Sequence, residues 1–341
     1  MELGVLDQSP ISGGSTAAQA LHRTLDLAEL ADELGYGRYW VAEHHATPAL
    51  ACAAPEILIG AIASRTPRIR VGSGGVMLPH YSPLKVAETF SSLSGLHPER
   101  IDLGLGRAPG TDPMTMLALQ RDRRHAPADD FIEQLMELLG LLEDRIPPSH
   151  PFARHAKTLP GLPERPEPWL LGSSPQSALW AAELGLPYSF ADFINPQGAA
   201  IVADYRARFV DSERLAAPRV SAAVIAICAE TDEEAERLAS SSRMMLSLLR
   251  QGRLVEIPPP DKALAYLKTR EPGRGDRRAV IGSPETVRAG LEVVAAEYGA
   301  DELLVLTITY DHDARRRSYE LIAEAFGLGA AQPSSAVATE R

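Results

Sequence analysis

"LGVLDQSPISGGST" (residues 3–16) decides between the two architectures open to this chain. Its opening run, "LGVLDQ" (3–8), reads as a β-strand that ends in Asp7-Gln8-Ser9-Pro10. A doubly wound open sheet often carries a glycine-rich phosphate loop directly after its first strand. Here the glycines trail behind as "SGGST", and the strand ends on polar residues and a proline instead. The competing architecture is a closed parallel barrel, in which polar strand ends are expected because they build the site.

The rest of the chain supports the barrel. Residues 17–34 place Leu21, Leu25, Ala28, Ala31 and Leu34 near helical spacing. Short β-like runs then alternate with helical ones: "RYWVAE" (38–43), "RIRVGSGG" (68–75), "RIDLGLG" (100–106), "PWLLGS" (168–173), "PYSFA" (187–191), "RVSAAVIAIC" (219–228) and "ELLVLTIT" (302–309). The intervening helices are expected at 55–64, 82–96, 129–142, 175–185, 197–213, 232–249 and 284–297, with a last one at 313–326. Eight strands alternating with helices predict an α/β chain folded as a (β/α)8 TIM barrel. Two proline- and glycine-rich stretches, about 145–168 and 251–278, read as insertions. The barrel is expected over 1–328 as one domain, with 329–341 a disordered tail.

Composition removes several functions. With 45% apolar and 23% charged residues the chain can build a full core. A net charge of −11 argues against a nucleic-acid-binding face, since nothing would neutralise phosphates along a groove. Cys52 and Cys228 stand alone with no CxxC spacing, so no disulfide framework is expected and a reducing cytoplasm is the default. The N-terminus lacks a basic, apolar leader, and no window approaches the roughly 20 apolar residues of a membrane span. The expectation is a soluble, cytoplasmic protein.

In a (β/α)8 barrel the strand carboxyl ends carry the site. Four unusual stretches fall there: Glu43-His44-His45, Ser73-Gly74-Gly75, Gly104-Leu105-Gly106-Arg107 and Gly172-Ser173-Ser174. Each has two readings. The glycines either make turns or let a planar ring approach the backbone, where a Cβ would obstruct it. Arg107 is either a solvated surface group or a bidentate phosphate clamp. Ser173, Ser174 and Ser177 around Pro175 are helix caps whose free amides also suit a phosphate. Neighbouring residues of an extended chain point to opposite sides, so at most one of His44 and His45 can face the mouth. HExxH and HxH spacings are absent, so no metal ligand is assigned; a structural pair and a catalytic imidazole stay open. "GLGRAPG" (104–110) lacks the glycine spacing of a dinucleotide fingerprint.

Taken together, "WVAEHH" (40–45), "VGSGGVMLPHYSPLKVAE" (71–88), "RIDLGLGRAPGTD" (100–112) and "LLGSSPQSALWAAELGLPYSFA" (170–191) resemble the bacterial-luciferase-like, flavin-dependent monooxygenases. The resemblance is close over about 2–195 and looser beyond. It is nearest to luciferase-like oxidoreductases of secondary-metabolite (antibiotic) biosynthesis, of the mensacarcin type. It implies FMN, its phosphate held by Arg107, Ser174 and Ser177, with Ser73, Gly74, Gly75, Gly106, Gly110, Ser173 and Asp192 also at the cofactor. It implies a non-proline cis peptide near Gly74-Gly75, His44 as the acid/base group with Glu43 as a second catalytic residue, and Asp7 and Asp192 around the same mouth. A separate reductase would supply reduced FMN, and O2 would oxygenate a small organic substrate such as an aromatic polyketide intermediate. The insertion at 251–278 would serve as a mobile lid. A homodimer through the helices after strands two and three is also implied, and "APEILIGAIA" (54–63) is apolar on nearly every face. Two departures stand out. Light-emitting members carry a cysteine where Gly106 stands, which argues against light emission, and Pro109 cannot donate an N–H, so that contact would shift to Gly110 or Thr111. The alternatives are a deazaflavin-dependent dehydrogenase on the same barrel, a non-catalytic flavin-binding protein, and a metal-dependent barrel hydrolase.

Overall fold

The computed structural model describes residues 1–107, 112–120, 123–124, 129–269 and 278–329. Its strands are β1 (Glu2–Asp7), β2 (Arg38–Val41), β3 (Arg70–Ser73), β4 (Val76–Met77), β5 (Ile101–Gly106), β6 (Glu167–Gly172), β7 (Tyr188–Ala191), β8 (Val220–Cys228), β9 (Ala279–Gly282) and β10 (Glu302–Leu306). The helices are α1 (Ala17–Leu34), α2 (Pro55–Ala63), α3 (Pro83–Leu96), α4 (Pro113–Leu119), α5 (Phe131–Glu143), α6 (Pro175–Glu183), α7 (Ala199–Arg208), α8 (Asp232–Leu249), α9 (Pro260–Leu267), α10 (Pro284–Tyr298) and α11 (His312–Phe326).

Eight of the strands form a ring in the order β1-β2-β3-β5-β6-β7-β8-β10, all parallel, and β10 returns to β1 to close it. Leu303 lies opposite both Leu3 and Ala222, so β10 joins β1 to β8. This is the (β/α)8 barrel expected. Local chemistry accounts for the element ends. Thr16 caps α1 in a reciprocal box with Gln19, and Gly35 ends that helix at φ 87°. Proline opens α2, α3, α6 and α10, where its missing N–H costs nothing. β8 is buried along its whole length, as befits a strand covered on both faces.

Two short strands escaped the sequence reading. β9 follows the second insertion and pairs with the end of β8, outside the ring; four residues show no alternation to read. The run at 68–75 was expected as one strand, but it breaks after Ser73 at a cis Gly74–Gly75 peptide. It resumes as β4, paired with Leu105 and Gly106 of β5.

Alternation sorts the strands into two faces. Val5, Tyr39, Val41, Leu303 and Val305 join the layer between strands and helices. Leu6, Trp40, Ala42, Leu304 and Leu306 fill the barrel with Trp169, Ala223 and Ile225. At the amino ends of the strands Arg38 takes the place of an apolar plug. It pairs with Asp102 and, at 3.0 Å, with Glu302, while the Trp40 indole N–H donates to Asp102 at 2.9 Å. Such a buried cluster is tolerated because every charge has a partner.

The described part of the second insertion is anchored rather than free. Ile257 is fully buried in the barrel cluster, its N–H donates to the Ile11 carbonyl at 2.8 Å, and its carbonyl accepts from Gly13 at 2.8 Å. α9 packs on α8 through Met244, Leu248 and Ala263. Residues 270–277 of the expected lid, Gly110 and Thr111, and the tail from 330 onward lie outside the described residues. Cys52 and Cys228 are separate buried thiols. No described helix is long and apolar enough to cross a membrane.

Candidate active site

A cavity of about 510 Å³ opens at the carboxyl ends of the strands. Its position follows from the alternation. The inward series Arg38 and Trp40 on β2 continues beyond the strand through Ala42 to His44, which faces the cavity. Leu6 and Gln8 do the same from β1.

His44 lies in a desolvated setting. Its Nδ1 is buried without a hydrogen-bond partner, and its backbone N–H donates to the Cys52 carbonyl at 2.8 Å. Burial first, and then the neighbouring His45, push its pKa down to about 4. Burial therefore favours the neutral ring, whose unpartnered Nδ1 is left to hydrogen-bond with whatever enters.

His45 and Glu43 turn the other way. The Glu43 carboxylate is fully buried and accepts from the Met77 amide at 2.9 Å and the Tyr81 hydroxyl at 2.9 Å. His45 Nε2 lies 2.6 Å from the same group. Glu43 thus sits behind the cavity wall and ties down Met77, which lines it.

The floor is glycine. Gly74, Gly75 and Gly106 line the cavity, and Gly104 lies beneath them. A Cβ on Gly104 would come within 2.1 Å of the Ser73 carbonyl oxygen, so only glycine lets β3 and β5 approach this closely. Ser73 is completely buried and donates its hydroxyl to the Gly104 carbonyl at 2.8 Å. Its side chain braces the floor from outside the cavity.

At the rim, Ser174 caps α6 and its Oγ accepts from the Ser177 amide at 3.4 Å. The Ser177 hydroxyl lies 3.0 Å from that of Tyr188. Ser173, Ser174 and Ser177 all line the cavity. Arg107 lines it as well, exposed at the end of β5, its guanidinium 5.7 Å above the Trp180 ring. Among the described residues it has no carboxylate partner.

The structure therefore brings His44, Gly74, Gly75, Gly106, Arg107, Ser173, Ser174 and Ser177 to one cavity. Asp192 follows the lining residue Ala191 but faces outward, accepting from the Arg278 guanidinium and, at 2.7 Å, from the Tyr298 hydroxyl. Asp7 is equally remote, buried with Arg315 at 2.6 Å and Tyr39 at 2.6 Å. Lining residues the sequence reading missed include Gln8, Met77, Phe131, Trp180 and Phe193. Trp180 could have been found, since it stands three residues after Ser177 on the same helical face. The remainder carry no local signal.

A closed parallel barrel with a glycine floor, a cationic rim and a buried histidine defines a TIM barrel whose mouth suits a planar, anionic ligand. Comparison with known proteins makes this specific. Residues 1–302 match the family model of the luciferase-like monooxygenases. The chain is 40% identical to a luciferase-like monooxygenase of Escherichia coli K12 over 93% of this chain and 94% of that one. It is 37% identical to the N-acetyl-S-alkylcysteine monooxygenase of Bacillus subtilis over 95% and 98% of the two chains. The crystal structure of apo-MsnO8 superimposes with a TM-score of 0.87 at 44% identity, covering 96% of this chain and 98% of that one. The chain belongs to the luciferase-like monooxygenase family, and it is a flavin-dependent oxidoreductase.

Proposed function

We propose that this protein is the oxygenating component of a two-component monooxygenase that takes reduced FMN from a separate reductase, and O2, to oxygenate a small organic molecule. The observation that carries the reading is one cavity holding an uncommitted guanidinium and a capped helix start at the rim, a Cβ-free floor, and a histidine with an orphaned ring nitrogen. Those features suit a phosphate, a planar ring and a proton acceptor in turn. The family membership supports a flavin in that place.

Arg107, Ser174, Ser177 and the first-turn amides of α6 would hold the FMN phosphate. Gly74, Gly75 and Gly106 would let the ring lie against the backbone, with Ser73 bracing the floor and Ser173 completing the rim. Bound and reduced, FMN would supply the electrons with which O2 oxygenates the substrate. His44, neutral and shielded from water, would accept the proton released at the reacting group. Glu43 would act through Met77, Tyr81 and His45, and Asp192 through Arg278, each keeping a wall of the cavity in place. A cytoplasmic setting matches the reducing environment that two unpaired thiols suggest.

Titrating the protein with FMN tests the reading: a bound-flavin absorbance change is expected, and oxygenated product with reduced FMN and any flavin reductase. A spectral response to a deazaflavin but not to FMN would overturn it. A homodimer through α2 and α3 accompanies the proposal, since Ile57 and Leu96 are 70% and 72% exposed there. Light scattering across a dilution series should give twice the chain mass. A constant single-chain mass would exclude the dimer.

A further inference from the structure

The charges around the cavity restrict what can occupy it beside the cofactor. Among the described residues each guanidinium near the barrel interior is committed: Arg38 to Glu302 and Asp102, Arg315 to Asp7, and Arg278 to Asp192 and Glu297. The nearby carboxylates Glu43, Asp7 and Asp192 all point away from the cavity and accept from neighbouring donors. Among the described residues the one formal charge on the lining is therefore Arg107, at the rim beside α6.

The deeper wall is Leu6, Trp40, Ala42, Phe193, Ala223 and Leu304. His44 and Gln8 interrupt it. Gln8 follows Leu6 on the inward series of β1, lines the cavity, and its side-chain amide has no hydrogen-bond partner among the described residues. A half-buried amide can donate to a carbonyl or accept from a hydroxyl, but it cannot neutralise an anion.

We propose that the substrate compartment is selective for uncharged, largely apolar molecules bearing one neutral oxygen function, and that Gln8 is the residue that recognises this oxygen. The inference rests on the flavin reading, which commits Arg107 to the cofactor phosphate. A substrate carboxylate or sulfonate would then be desolvated against an apolar wall on which no further cation stands among the described residues. A ketone or hydroxyl of the same shape loses far less water, and Gln8 restores the hydrogen bond.

The FMN-loaded protein can be titrated with three molecules of similar shape: acetophenone, benzoate and ethylbenzene. Bound-flavin absorbance and tryptophan fluorescence give the readout. At a pH where benzoate is ionised, acetophenone should bind at least about tenfold more tightly than benzoate. Gln8→Leu should weaken acetophenone by roughly three- to tenfold and leave ethylbenzene unchanged. Gln8→Arg should reverse the order, favouring benzoate. FMN affinity in each variant reports whether the fold is intact. Equal binding of benzoate and acetophenone by the native protein would overturn the proposal, as would Gln8→Leu leaving the acetophenone-to-ethylbenzene ratio unmoved or acetophenone failing to bind up to its solubility. Failure of FMN itself to bind is a separate result and would instead remove the flavin reading.

Discussion

His45 Nε2 lies 2.6 Å from the Glu43 carboxylate, on the side of the chain opposite to the cavity that His44 lines. Two neighbouring imidazoles thus take different work from one extended segment. The inward ring is unpartnered and available, while the outward one completes a buried set of donors around a single carboxylate.

Replacing that carboxylate should affect stability before chemistry. Glu43→Ala leaves the Met77 amide and the Tyr81 hydroxyl without an acceptor, at a cost of about 1–3 kcal/mol each. Glu43→Gln keeps one acceptor oxygen and should lose less. Urea unfolding midpoints would show this order, and wild-type stability in Glu43→Ala would contradict the role.

His44 should matter for turnover rather than for cofactor affinity. His44→Ala is expected to bind FMN nearly as the native protein does and to turn over about 10²–10⁴-fold more slowly, the usual contribution of a general acid–base group. Normal turnover at saturating reduced flavin would remove His44 from the mechanism.

The same ring predicts an acid-sensitive fold. Its pKa is about 4 when folded and near 6.5 when free, so the unfolded chain takes up a proton that the native chain refuses. Stability from this group is fully present above about pH 6.5 and falls as the pH drops from there toward 4. Between about pH 8 and pH 5 the native protein should lose about 2 kcal/mol more than His44→Gln. Matching losses in denaturant titrations at the two pH values would show that the ring is not desolvated.

Glycines two apart on β5 should respond differently to a methyl group. In Gly104→Ala the Cβ meets the Ser73 carbonyl at 2.1 Å, so β3 and β5 must separate and soluble folded protein should be largely lost. In Gly106→Ala the nearest contact is Met77 Sδ at 3.4 Å, and folding should survive within about 1 kcal/mol. Circular dichroism melts of the two variants separate the cases.

Arg107→Ala should weaken FMN binding about 10- to 100-fold, the loss of a charge-assisted contact, with unaltered thermal stability of the flavin-free protein. Added salt should narrow the gap between native and variant. An FMN affinity independent of this substitution would place the phosphate elsewhere.

Much of this was readable along the chain because it depends on neighbours in sequence. Short β-like runs alternating with helical segments disclosed the eight barrel strands, and helical spacing located α1 and α3 nearly to their ends. The glycine stretches and the single outward-or-inward choice for His44 and His45 were visible for the same reason. Barrel closure decided everything that requires two distant segments to meet. It selected His44 over His45 for the cavity, turned Asp192 onto Arg278 and Ser73 onto the Gly104 carbonyl, and brought Trp180 beneath Arg107. Those encounters depend on the register of β3 on β5 and β7 on β8, which no local preference contains and which emerges only when burial and hydrogen bonding are satisfied around the whole ring.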